Sequence, residues 1–291
     1  FRYHLVSLIS VFLALAVGVV LGAGPLQNSL GTALNDQVTA LRENRNATQA
    51  KLEQTETAVN ERDSYITQAA TSLLPGTLAS KNVAMVLLPD AKAEDADAIA
   101  AQLKNAGATV TGRVSLTSTW VDVSRENYRS TFSGQVQGHL GSTNSKDANG
   151  ILGEALAKAL TANDDSSRVL MDMLSVDKAG TPFVTVDSTP TGPAEMIVVV
   201  GPRPQASSGK GATVEASPGQ DPKAWAKALA GTAGRAPTVV VGSADGDDNV
   251  VSIIRSEGAK VTTIDSVGQV AASVSTPLAL ALVSTRAGTI G

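Results

Sequence analysis

Thioether sulfur is the only soft metal ligand that this sequence offers, because it contains no cysteine and four methionines. Soft thioethers suit Cu(I), so Met85, Met171, Met173 and Met196 are the residues on which copper chemistry would rest. Met171-Asp172-Met173 has the outline of a thioether motif. In a helix, however, positions i and i+2 face apart, and methionine amid apolar neighbours fills cores. No metal ligand is assigned. Only His4 and His139 are available for imidazole chemistry. His4 abuts an apolar segment and His139 lies in a stretch that reads as a loop, so no nucleophile–His–acid set is expected. Ser208-Gly209-Lys210-Gly211 lacks the spacing and the following Ser/Thr of a phosphate-binding loop. Asp245-Gly246-Asp247-Asp248 follows a strand, where α/β proteins often take ligands, although a helix-capping turn accounts for it equally well. The reading is of a protein without a catalytic, cofactor or metal site, and not an enzyme.

Composition narrows the partners. The chain has 291 residues, 43% of them hydrophobic, with Lys+Arg 23 against Asp+Glu 27 and a formal net charge of -4. Nucleic-acid backbones need a basic surface, so nucleic acid is not an expected partner. Aromatic residues are 3%, which leaves Val, Leu, Ile and Ala to build the core.

From Leu5 to Ala23 no residue is charged, and only Ser7 and Ser10 are polar. At about 1.5 Å per residue this run crosses the roughly 30 Å apolar layer of a bilayer. Arg2 and Tyr3 precede it, and the next charge is Asp36. The positive-inside tendency places the N-terminus in the cytoplasm and everything after Pro25 outside. A cleaved signal peptide competes with this reading. The run is longer than the usual signal core, and Pro25 crowds the small-residue site at Gly22, Ala23 and Gly24, so an uncleaved anchor is expected. The chain opens on Phe1 rather than Met, and a short cytoplasmic stretch is expected before it.

Next comes a 4–3 rhythm. Starting at Leu34 it lands on Val38, Leu41, Arg45, Thr48, Leu52, Thr55, Val59, Arg62, Ile66, Ala69 and Leu73. No Gly or Pro interrupts 32–74, and Pro75-Gly76 closes the run. A helix of about 60 Å with one narrow apolar stripe is the coiled-coil pattern. Leu34, Val38, Leu41, Leu52, Val59, Ile66 and Leu73 are the expected interface, pairing two chains into a homodimer. The other reading is an amphipathic helix lying on its own domain.

The remainder reads as α/β. Asn82–Leu88 is a near-continuous apolar run, the mark of a strand buried on both faces. Ala96, Ile99, Ala100, Leu103 and Ala106 mark a helical face ending at Gly107, and Thr109–Leu116 is a second strand. The order recurs in strand 238–242, helix 249–257 and strand 260–264. Helices are expected near 124–132, 150–160, 166–174 and after Asp221-Pro222, with a strand at 196–200 and loops over 133–149 and 201–220. Two βαβ units imply one parallel sheet with helices on both faces. The expected organisation is a cytoplasmic flank and transmembrane anchor (1–26), a coiled-coil stalk (27–76) and an extracytoplasmic α/β domain (77–291).

The opening Phe1-Arg2-Tyr3-His4-Leu5-Val6-Ser7-Leu8, the run Phe12-Leu13-Ala14-Leu15-Ala16-Val17-Gly18-Val19-Val20-Leu21-Gly22 and the stalk resemble the actinobacterial MctB family. That family carries the label "copper transporter" and includes the corynebacterial cell-separation protein SteB. The resemblance implies an envelope protein of a mycolic-acid bacterium. Its SteB branch implies pairing with a cytoplasmic partner resembling SteA and control of a peptidoglycan hydrolase. Its MctB branch implies copper export or homeostasis.

One membrane helix encloses no pore, and no strand series for an outer-membrane barrel is evident. The residues therefore favour the first branch, which implies an envelope scaffold or regulator at the cell membrane, single-pass, in contact with the lipid bilayer, itself and a cell-wall hydrolase. Copper transport is the alternative. A small-ligand sensor with a pocket near Asp90 and Asp245 is a third reading. The topology has a direct check: a reporter fused after Gly291 is expected to be active only outside the cytoplasm, and the mature chain to retain Phe1. A mature N-terminus at Gly24 or later contradicts the anchor.

Overall fold

The computed structural model describes residues 2–23, 25–176, 182–204 and 219–287. The chain divides into two units, 1–62 and 63–291.

In the first unit, helix α1 spans Arg2–Ala23 and helix α2 begins at Pro25 and runs to Leu73. Over Arg2–Val20 the mean hydropathy is 2.3 and none of the segment is buried within the protein. Leu5, Phe12 and Leu15 stand in the open. A helix this apolar with no polar stripe is long enough to cross a membrane. In α2, Thr39, Thr48 and Thr55 turn their hydroxyls back to carbonyls one turn earlier, at 2.8, 2.7 and 2.8 Å. That satisfies the polar atom inside the helix and leaves the threonine methyl outward.

Among the described residues the second unit holds six strands: β1 (Asn82–Leu87), β2 (Thr109–Leu116), β3 (Val184–Ser188), β4 (Met196–Val200), β5 (Thr238–Val241) and β6 (Thr262–Ile264). They form one open sheet in the order β3-β2-β1-β4-β5-β6. All neighbours are parallel except β2 and β3. Helices α3 (Ala93–Asn105), α4 (Glu126–Leu140), α5 (Ala148–Thr161), α6 (Asp165–Ser175), α7 (Lys223–Ala233), α8 (Val250–Ser256) and α9 (Val270–Ala287) complete it.

Successive strand residues serve opposite layers, as the pleat requires. Ala84, Val86, Ile197, Val199 and Val240 enter the core beneath α4–α8. Val83, Met85, Leu87, Met196, Val198, Val200, Val239 and Val241 enter the core beneath α3 and α9. Ala70 in the last turn of α2 and Leu74 just beyond it are buried in this second core, and Ile66 packs on it. The compact unit therefore starts inside α2, at Asp63.

Several readings need correction. Residues 133–140 are the second half of α4, not loop, because Phe132, Val136 and Leu140 recur every four residues and are buried. The Gly and Ser content that suggested a loop sits largely outside that stripe. Strand β3 and helix α9 had no expected counterpart. Strand β3 pairs through only one neighbour and shows just Val184 to the core, so its apolar signal is weak. Gly107 does end α3, with φ +91. Most of the 201–220 stretch, including Ser208-Gly209-Lys210-Gly211, lies outside the described residues, as does Gly24.

Helices α5 and α7 approach at their glycines. A Cβ on Gly153 would stand 1.9 Å from the Ala228 carbonyl oxygen, and one on Gly231 would stand 2.1 Å from that of Gly150. Both obstacles are backbone, so neither can turn aside. Gly153→Ala or Gly231→Ala is expected to lower stability by about 1–3 kcal/mol or more in urea denaturation of the detergent-solubilised chain. Gly134→Ala, on the open side of α4 with nothing within 4 Å, is expected to be neutral or to gain up to about 1 kcal/mol.

Candidate functional site

Two places combine exposure with organised chemistry: one face of α2, and the C-terminal ends of the strands.

On α2 the expected interface residues do not share one fate. Leu34, Val38, Leu41, Leu52 and Val59 are 56%, 42%, 68%, 53% and 38% exposed. Their spacing keeps them on one side of the helix, so they form a single apolar stripe. Ile66 instead packs on the α3/α9 core of the second unit. Leu73 is 56% exposed, whereas its neighbour Leu74 is fully buried. Near the end of α2 the inward face is Ile66, Ala70 and Leu74, at four-residue steps, and Leu73 lies beside it. The stripe that has no partner in the described residues thus ends at Val59.

At the strand ends, the order β3-β2-β1-β4-β5-β6 reverses direction between β1 and β4, the place where open α/β sheets commonly take ligands. Here Arg203, just beyond β4, reaches Asp95 in the first turn of α3. Its Nε and Nη2 donate to Oδ2 and Oδ1 at 2.9 and 2.6 Å. Asp95 is 4% exposed. These hydrogen bonds, then the charge of Asp95, raise the Arg203 guanidinium above its ordinary value, and Glu94 adds to the effect. A cavity of about 90 Å³ lies alongside, lined by Asp95, Ile99, Val241, Gln269 and Ser273 among others. Asp90 and Asp245 do not line it. Asp95 is an acid near a helix start, but its partner is 108 positions away, a pairing that only the sheet order brings about.

The Asp245 turn is held locally. The Asp245 amide donates to Ser243 Oγ at 3.1 Å, and the Ala244 amide to Asp265 Oδ1 at 2.9 Å. Asp247 and Asp248 are exposed, and Asn249, at the N-cap of α8, makes no side-chain capping bond. His139 stands in the last turn of α4, and its carbonyl accepts from Lys158 Nζ at 2.7 Å.

The methionines are apolar packing. Met85 and Met196 are 0% and 2% exposed in the α3/α9 core, and Met171 and Met173 pack on the other. Among the described residues no group of three or more His, Asp or Glu side chains is placed to hold a metal ion.

Glu154 is a second deeply buried charge, 1% exposed in the middle of α5. Its Oε1 accepts from the amides of Asn144 and Ser145 at 3.0 and 2.8 Å, and its Oε2 from Arg235 Nε at 3.2 Å. Arg235 also donates to the carbonyls of Leu140 and Ser142. Burial pushes the Glu154 carboxyl upward, but the bonds from Ser145, Arg235 and Asn144 outweigh it and hold it below its usual value. These contacts close the 141–147 turn over the buried α5. Arg129, 3% exposed, donates to the carbonyls of Thr119 and Asp122 at 2.9 and 2.5 Å. Desolvation lowers its pKa against the pull of Glu126, Asp122 and Asp221.

The chain belongs to the MctB family: the family model described as "Copper transport outer membrane protein, MctB" matches residues 1–291. A protein of Mycobacterium tuberculosis H37Rv named "Copper transporter MctB" is 29% identical over 303 residues, covering 96% of this chain and 91% of that protein. The Mycobacterium bovis protein of the same name matches to the same extent. A Mycobacterium leprae protein, also so named, is 35% identical over 136 residues, 46% of this chain and 43% of its own length.

The Glu154 cluster has a pH signature. A carboxylate held below its unfolded value of about 4.3 contributes stability that is complete above that value and lost as pH falls through the folded one. Glu154→Gln is expected to cost on the order of 2 kcal/mol at pH 7, with the gap to the parent closing below about pH 4. Urea midpoints from pH 7 to pH 3 measure it. A gap constant with pH contradicts the assignment.

Proposed function

We propose that this protein is a membrane-anchored envelope scaffold that acts through protein contacts on the stalk face of α2. Helix α1 roots the chain in the membrane with its N-terminus in the cytoplasm, and the α/β domain lies in the envelope space. The contacts serve cell separation, through a cytoplasmic or membrane partner resembling SteA and a peptidoglycan hydrolase. One observation carries the reading: Leu34, Val38, Leu41, Leu52 and Val59 are exposed on one helix side, while the strands and helices of the second unit turn apolar faces into two cores. Exposed apolar side chains aligned on one helix side mark an interaction site.

The alternative is copper transport or homeostasis, favoured by the family description and by the relatives' printed names. The placement of the methionines weighs against it, because each lies in or against an apolar core.

Two paired substitutions separate the readings. Leu52→Asp with Val59→Asp removes two apolar contacts of about 1.5–3 kcal/mol each and puts charge on the stripe. Cells carrying it are expected to form daughters that fail to separate, with unchanged copper sensitivity. Met171→Leu with Met173→Leu keeps volume, costs less than about 1.5 kcal/mol, and is expected to leave both phenotypes as in the parent. Normal separation in the first variant overturns the scaffold reading. Loss of copper tolerance in the second, with stability intact, puts copper handling in its place.

A further inference from the structure

We infer that the exposed stripe of α2 pairs with the same stripe of a second copy, parallel and in register, with Lys51 of one chain beside Glu56 of the partner subunit. This rests on the stalk-face reading above and adds the occupant, direction and register.

The stripe defines the heptad. With Val38, Arg45, Leu52 and Val59 at a, and Leu34, Leu41, Thr48 and Thr55 at d, the flanking g positions are Gln37, Asn44, Lys51 and Ala58. The e positions are Asn35, Arg42, Gln49, Glu56 and Asp63. A parallel pair in register sets each g beside the e five residues later on the other chain. That yields Gln37 with Arg42, Asn44 with Gln49, Lys51 with Glu56 and Ala58 with Asp63. One pair is oppositely charged, it occurs twice by symmetry, and no flanking pair brings like charges together; Arg45, at an a position, meets its own copy and must carry its guanidinium out to solvent. An antiparallel pair overlapping fully from Leu34 to Val59 sets g beside g and e beside e. It joins Asn44 to Lys51 and Asn35 to Glu56, and forms no opposite-charge pair.

The anchor gives the second argument. Helix α2 starts two residues after α1 ends. Both copies therefore enter the stalk from the same bilayer face, which a parallel pair permits directly. An antiparallel pair would hold its two anchors about 40 Å apart or more. The polar core positions agree with pairing. Thr48 and Thr55 have hydroxyls bonded within their own helix, and Arg45 at an a position is the kind of residue that sets register.

The absence of native cysteine permits a clean test on the full chain in native membranes. Residues sharing a core layer meet themselves in a parallel pair, within the Cα separation of about 4.4–6.8 Å that a disulfide accepts. Leu41→Cys, Leu52→Cys and Val59→Cys are each expected to form covalent dimers under mild oxidation, and Glu53→Cys, off the stripe, is not. Adding Lys51→Glu to the Leu52→Cys chain is expected to lower its dimer yield about threefold, and Glu56→Lys to restore it. Three results overturn the inference: linkage of Leu52→Cys only when mixed with Leu41→Cys, linkage only to another protein, or no rescue by the charge exchange. The stalk-face reading survives the first two. It fails separately, when parallel linkage is intact and Leu52→Asp with Val59→Asp leaves cell separation unchanged.

Discussion

The central strands β1, β4 and β5 are buried on both faces, and most of the second unit follows from that constraint. Alternate residues must be apolar for two different layers, so a one-residue slip would exchange every contact at once. Both layers then need covering, and the parallel connections supply the helices that cover them. Beneath α4–α8 the cover is two helices deep in places: residues 150–157 of α5 are all buried. A helix enclosed that fully has no room for ordinary spacing against α7, which explains the glycines at 153 and 231. It also leaves Glu154 without solvent, so the Arg235 guanidinium and the turn amides must replace water.

The first unit follows the opposite logic. Its apolar surface is not folded inward. Helix α1 presents apolar side chains all round, which only lipid or a large core can solvate. Helix α2 presents polar residues all round except along one stripe. A helix of that kind gains little from its own hydrogen bonds in water, since most helical stability comes from packing an amphipathic face. Five exposed aliphatic residues in line are thus a surface that a partner helix would stabilise. The polar residues among them are compatible with this, because the threonines have already satisfied their hydroxyls.

The sequence made the anchor, the long helix and the parallel strands legible, since each rests on a one-dimensional signal: an uncharged run, a repeat without Gly or Pro, and short Val-rich segments between turns. Strand β3 escaped because an antiparallel edge strand with one buried residue carries almost no hydrophobic signature. The second half of α4 escaped because Gly134 and Gly138 weigh against helix in composition while lying on the open face, away from the buried stripe that holds the helix. The Asp95–Arg203 pair could not be read at all, because it depends on which strands become neighbours. The fate of the stripe past Val59 was likewise hidden: a strict 4–3 count runs Ile66, Ala69 and Leu73, whereas the folded domain takes Ile66, Ala70 and Leu74, at four-residue steps.

That difference in period has a bearing on function. A 3.5-residue repeat stays aligned only if two helices supercoil around each other, whereas a stripe on a straight helix drifts by about 20° per heptad. From Leu34 to Val59 the two descriptions nearly coincide, so this stretch can serve a partner helix. From Ile66 onward the domain has fixed the outcome, and α2 packs as an ordinary core helix. Among the described residues the methionines offer copper no comparable surface. Met85 and Met196 lie on the same layer, with Met196 paired to Val83 and Met85 to Val198, deep in an aliphatic core. A cation drawn there would lose its hydration to neutral thioethers and hydrocarbon, a transfer that uncompensated charge opposes strongly. The exposed stripe meets no such penalty, since covering it removes apolar surface from water and leaves the charges at its flanks solvated.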